Sequence, residues 1–128
     1  MKNIQLRRGN NVYHNEELKT IDCIAPGHVI LLEDRIMIDS EEALGQWVDL
    51  DNIEFIPLTI SELLKLGFSE FGSPDRYQIS FENNKSFMVS FAECRNVWTW
   101  QGVELKHVHQ LQNLIFAILQ EEISYETN

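Results

Sequence analysis

Apolar and polar residues alternate along much of the first half of the chain, and a period of two predicts short strands. Ile4 and Leu6 alternate with polar neighbours, and Gly9-Asn10-Asn11 then offers residues that tolerate positive φ. Val12-Tyr13 follows, closed by the polar break His14-Asn15-Glu16-Glu17. Ile21, Cys23 and Ala25 are spaced by two, which places them on one strand face, and Pro26-Gly27 marks a turn. His28 to Leu32 and Ile36-Met37-Ile38, joined by Glu33-Asp34-Arg35, read as a hairpin. After Asp39 to Leu44, expected as a loop or one helical turn, Trp47-Val48 reads as a further strand. Such short, closely spaced strands predict a small bent β-sheet or an SH3-like barrel.

The period changes after Pro57. Thr59-Ile60-Ser61-Glu62 fits a capping box, with the Thr59 hydroxyl accepting from the Glu62 amide and the Glu62 carboxylate reaching back. Leu58 and Leu63 stand where a hydrophobic staple clamps a helix start. The spacing predicts a helix over 60–66 that packs Leu63, Leu64 and Leu66 and stops at Gly67 in a left-handed conformation.

From Tyr77 the period of two returns. Tyr77, Ile79 and Phe81 oppose Gln78, Ser80 and Glu82, Asn83-Asn84 turns the chain, and Phe87, Val89 and Phe91 repeat the alternation. Val97 to Trp100 and Val103 to Leu105 flank Gln101-Gly102 as a tight hairpin. A helix over 107–122 then presents Val108, Leu111, Ile115, Ile118 and Leu119 as an apolar stripe, and 125–128 reads as a frayed tail. The expected class is α+β: the N-terminal sheet or barrel, a short helix, and an antiparallel meander covered by a terminal helix. A chain of 128 residues makes one domain, with sub-lobes 1–58 and 59–128. The Gly72-Ser73-Pro74-Asp75 loop is the best boundary between lobes in the sequence, and it is too short to make them independent.

Charge separates these sub-lobes. The net charge is −10, yet residues 1–15 carry Lys2, Arg7 and Arg8 and no acid. Residues 16–59 hold eleven acids against Lys19 and Arg35, a net −9. Nucleic-acid binding rests on neutralising phosphates, so this balance disfavours it; an acidic surface suits solubility, a basic protein partner or, less often, a divalent cation. No apolar run approaches the roughly 18 residues that span a bilayer, and the first residues lack the apolar core of a secretory signal. The expected location is the cytoplasm, with no membrane partner. There Cys23 and Cys94 are expected as free thiols, buried as small hydrophobes. The sequence sets no oligomeric state.

Candidate chemistry is sparse. His107-x-His109 is the one close histidine pair, but at a helix start the two diverge by about 200° of arc, and zinc requires three or four ligands. Asp49-x-Asp51 opens like a calcium loop, but Ile53 and Glu54 stand where that loop needs Asp or Asn and then Gly. No nucleophile elbow, phosphate loop, dinucleotide fingerprint or zinc-protease motif occurs. No catalytic residue, metal or cofactor is therefore expected. An enzyme built on Cys94 or on His107 and His109 is the remaining catalytic alternative. Trp98 and Trp100 share a strand face, which suits a core, a protein interface or base stacking. Arg7 and Arg8 are the candidate phosphate contacts.

Three segments carry a resemblance. Leu6-Arg7-Arg8-Gly9-Asn10-Asn11-Val12-Tyr13, then Ile56-Pro57-Leu58-Thr59 with Leu64-Lys65-Leu66-Gly67-Phe68, then Val108-His109-Gln110-Leu111-Gln112-Asn113-Leu114, together resemble an uncharacterised family of small proteins. Phages and prophage-like elements of gut bacteria encode that family. The resemblance implies an intracellular accessory protein of a mobile element and brings no activity, cofactor or catalytic residue with it. Gln110, Gln112 and Asn113 are hard to explain as packing, and with His109, Trp98 and Trp100 they form the expected partner-binding set. The expected function is a non-enzymatic module that binds a protein, with nucleic-acid binding or DNA mimicry as the alternative.

Overall fold

The computed structural model describes residues 6–32, 36–37, 43–44, 47–123 and 125. It is α+β, with two five-stranded antiparallel sheets, and the chain divides into compact units at Ile56/Pro57. The 72–75 loop is therefore internal to the second unit, where it joins two strands.

The N-terminal unit contains β1 (Asn11–His14), β2 (Glu17–Ala25), β3 (His28–Leu31), β4 (Ile36–Met37), β5 (Ala43–Leu44), β6 (Val48–Asp49) and β7 (Ile53–Glu54). The large sheet has the order β6-β3-β2-β1-β7. Its edge strands β6 and β7 do not pair, so the sheet stays open and the barrel alternative does not form. The predicted hairpin between His28–Leu32 and Ile36–Ile38 does not form either. β3 pairs with β2 and β6, while β4 pairs with β5. Residues 33–35 and 38–42, which carried part of that reading, lie outside the described residues.

Two turns set the register of this sheet. Asn15 and Glu16 both have positive φ (52° and 66°) between the paired residues His14 and Glu17, as a two-residue type I′ hairpin requires. Pro26-Gly27 joins β2 to β3, with proline supplying the fixed φ and Gly27 the φ of 79°. Val12, Ile21, Val29, Leu31, Leu50 and Ile53 form the buried core, with Leu6, Val48 and Phe55 packed against it. Fully burying one such aliphatic side chain is worth about 1.5–3 kcal/mol. A bulge in β2 interrupts the expected alternation: Ile21 faces Leu31, but Cys23 faces Ile30. Asp22 is the extra residue. It is buried beside Ile21, and Cys23 is turned outward.

The C-terminal unit contains α1 (Ile60–Lys65), β8 (Ser69–Glu70), β9 (Arg76–Ser80), β10 (Ser86–Ala92), β11 (Val97–Trp100), β12 (Val103–Leu105) and α2 (Val108–Leu119). Its sheet is a meander in the order β12-β11-β10-β9-β8. α1 begins as the sequence indicates, with the Glu62 amide donating to Thr59 Oγ1. The Glu62 carboxylate does not complete the box. It accepts from the Tyr125 hydroxyl and lies 3.8 Å from Lys65 Nζ. Tyr125 is thus anchored rather than frayed.

α1 ends in a Schellman motif. The Phe68 amide donates to the Leu63 carbonyl, the Gly67 amide donates to that of Leu64, and Gly67 has φ 101°. Leu63, Leu66 and Phe68 are buried, whereas Leu64 is exposed. α2 packs on β12 and is shorter than the 107–122 periodicity predicts. Its core stripe stops at Ile115, Ile118 is exposed, and Gln120 ends the helix at φ 57°. The Lys85 ammonium donates to the Leu119 carbonyl, placing a cation at the negative end of the helix dipole.

Candidate functional site

In the meander, Phe91 is the ladder partner of Trp98, and Trp98 that of Leu105. Trp98 and Trp100 share the face that also carries Phe87, Val89 and Phe91, and this is the core face. Trp98 is only 4% exposed and meets Tyr77 and Phe91 edge-to-face, with centroids 5.6 and 5.1 Å away. Trp100 is half-buried and stacks on Phe87 at 5.4 Å. These contacts satisfy the aromatic faces internally, so the pair offers no open platform for bases.

The amides of α2 also have local roles. Gln110 Oε1 accepts from the main-chain N–H groups of Lys106 and His107, at 2.8 and 3.0 Å, and caps the helix. Gln112 is 1% exposed and donates to the Ile123 carbonyl at 2.9 Å. His109 is buried and Asn113 half-buried. Of the predicted partner-binding set, Trp98, His109 and Gln112 lie inside the unit, Gln110 caps the helix, and Trp100 and Asn113 are half-buried.

His107 and His109 do not diverge. His107 is the N-cap and has an extended backbone (φ −133°, ψ 154°), so the helical arc does not apply between them. Their rings stack with centroids 5.7 Å apart and planes 16° from parallel. Burial, then the neighbouring His107, lowers the His109 pKa to about 4. Burial and the Lys106 charge lower that of His107. Among the described residues no group of three His, Cys, Asp or Glu side chains is placed to hold a metal ion.

The predicted phosphate contacts are engaged at home. Arg8 lies 3.4 Å from the buried Asp22 carboxylate. The Arg7 main-chain N–H donates to Asn10 Oδ1 at 2.6 Å, and its guanidinium donates to the Arg8 carbonyl at 3.2 Å. Asp49 and Asp51 build a turn, with the Asp51 amide donating to Asp49 Oδ1 at 2.9 Å. Cys23 and Cys94 are both exposed, against the expectation that they are buried. The bulge turns Cys23 out, and Cys94 lies in the turn between β10 and β11.

Two concavities stand out. In the N-terminal unit, a shallow apolar pocket of about 320 Å³ is lined by Ala25, His28 and Trp47. Trp47 is 50% exposed, and Asp49, two residues on, is the ladder partner of His28. Sequence reasoning passed over Trp47 because it reads as strand interior. Its place just before the edge strand β6 is what exposes it. In the C-terminal unit, a cleft of about 350 Å³ is lined by Leu58, Phe91, Trp98 and Leu105, with Thr59 and Lys106 adding polar groups. Neither concavity is lined by Cys94, His107 or His109. No helix among the described residues is long and apolar enough to cross a membrane. No protein-family model, curated protein or solved structure matches the chain.

Proposed function

We propose that the protein is a non-enzymatic binding module whose N-terminal unit takes a basic protein partner, as an accessory factor of a mobile genetic element. The observation that carries this reading is Trp47, half-exposed beside an apolar pocket in the part of the chain whose net charge is −9 over residues 16–59. Exposed tryptophans anchor protein interfaces because they bury a large area at low entropic cost. The indole face also attracts Lys and Arg, and surrounding carboxylates steer such a partner in. The mobile-element setting rests on the three segments of resemblance.

The test is affinity capture from a bacterial lysate with the wild-type chain and with Trp47→Ala, at low and high salt. The expected result is a basic protein that wild type retains at low salt and that Trp47→Ala loses. Capture that is indifferent to Trp47, or of an acidic partner, overturns the reading.

A further inference from the structure

The outward face of the N-terminal sheet carries a row of ladder partners across β2, β3 and β6. Ala25 lies opposite His28, and His28 lies opposite Asp49. Residues directly opposite in an antiparallel pair point to the same side of the sheet. The other side is the core, where Val29 is fully buried and Val48 packs. Trp47 stands two positions before Asp49, so the period of two brings it to the side of this row. With Ala25 and His28 it lines the shallow pocket of about 320 Å³. This wall is open to a ligand. Trp47 and His28 are exposed, and among the described residues no ring packs on the indole.

Three electron-rich groups meet here. The indole face attracts a cation. His28 Nδ1 lies 3.3 Å from the Pro26 carbonyl, and a carbonyl only accepts. The contact therefore holds the proton on Nδ1 and leaves Nε2 of the neutral ring as an acceptor. Asp49 is exposed, accepts from the Asp51 amide through Oδ1, and makes no ion pair among the described residues. An anion is repelled by Asp49, and a neutral side chain leaves its charge unmatched. A guanidinium matches all three groups: it is planar and stacks on an indole, while its several N–H donors reach acceptors in different directions. The lysine ammonium is a strongly hydrated point charge and does not stack.

We propose that this pocket receives an arginine side chain of the basic partner, its guanidinium flat on Trp47 and bonded to Asp49 and His28 Nε2, its methylene stem over Ala25. The assignment rests on the proposed binding role of the N-terminal unit and names the side chain recognised there. The site is shallow and partly solvated. A cation–π contact and an exposed ion pair together favour arginine over a neutral side chain of the same shape by about tenfold in affinity.

The test is a titration of the full chain with the N-acetyl amides of arginine, lysine and citrulline at constant ionic strength, followed by the indole N–H signals in two-dimensional NMR. Citrulline has the shape of arginine without its charge. The expected result is that arginine shifts the Trp47 signal, leaves that of the buried Trp98 in place, and binds about tenfold tighter than citrulline, with lysine between them. Asp49→Asn keeps an acceptor for the Asp51 amide, so the turn stays formed, and it lowers the advantage of arginine over citrulline about threefold. No shift at Trp47 overturns the proposal. Equal binding of arginine and citrulline or of arginine and lysine overturns it too, as does an advantage undiminished in Asp49→Asn. Affinity capture separates the two claims. If a basic protein is captured through Trp47 while arginine and citrulline bind alike, the arginine assignment alone falls. If arginine binds as stated while capture is indifferent to Trp47, the partner reading falls and the pocket stands as an arginine site.

Discussion

The side-chain amide of Gln112 donates to the main-chain carbonyl of Ile123, eleven residues further on, and both residues are buried. This bond ties the segment after α2 back onto the helix. Replacing Gln112 with Leu keeps the volume but leaves a buried carbonyl without this donor, at a cost of about 1–3 kcal/mol. The expected outcome in urea unfolding is a lower midpoint with an unchanged slope. Amide exchange is expected to speed up most around Ile123.

His109 makes the fold sensitive to acid. Its pKa is about 4 in the folded chain against an ordinary 6.5, so the unfolded chain takes up a proton that the folded chain refuses. The stability this group contributes is complete above pH 6.5 and declines as pH falls from about 6.5 to about 4, where the decline ends. His107 acts in the same direction. After allowance for solvent screening the loss amounts to about 2 kcal/mol. Unfolding midpoints measured from pH 7 to pH 4 are expected to fall, and His109→Gln to fall less steeply. Parallel slopes for the two proteins would contradict this.

Gly67 has φ 101° at the end of α1, a conformation in which a Cβ meets the neighbouring backbone. Gly67→Ala is expected to cost about 1–2 kcal/mol, measured by thermal or urea unfolding. Leu64→Ala one turn earlier is expected to cost less than half of that, because Leu64 is exposed.

Cys23 and Cys94 are both accessible in the folded chain. Both thiols are expected to react with a chromogenic disulfide reagent without denaturant, at rates close to those in urea. A thiol that reacts only after unfolding would contradict the exposure of that residue.

Local backbone chemistry was the most legible part of the sequence. Thr59 as a cap, Gly67 as a helix stop and Gln101-Gly102 as a tight turn follow from steric rules that act over four or five residues, and the structure contains all three. The alternation of β9 and β10 was equally readable, because one face of a meander is core and the other is wet. Strand partners were not readable. β3 takes β2 and β6, not the segment that follows it, and nothing in its own residues records which neighbour arrives. The bulge at Asp22 was hidden for a related reason: a strict spacing of two looks the same in sequence whether or not one residue is skipped in the ladder. The local roles of polar and aromatic side chains were not legible from residue type. Gln110 and Gln112 look like recognition residues and serve as a cap and a tie, while Trp47 looks like core and lies open.

The left-handed turns have a consequence for how this chain tolerates change. Glu16, Gln101 and Gln120 adopt positive φ although none is glycine, asparagine or aspartate. At each of them a glycine would relieve backbone strain, so three single substitutions toward higher stability are directly accessible. The fold therefore retains headroom, and substitutions that reshape its Trp47 surface at some cost in stability can be offset by changes at turns elsewhere.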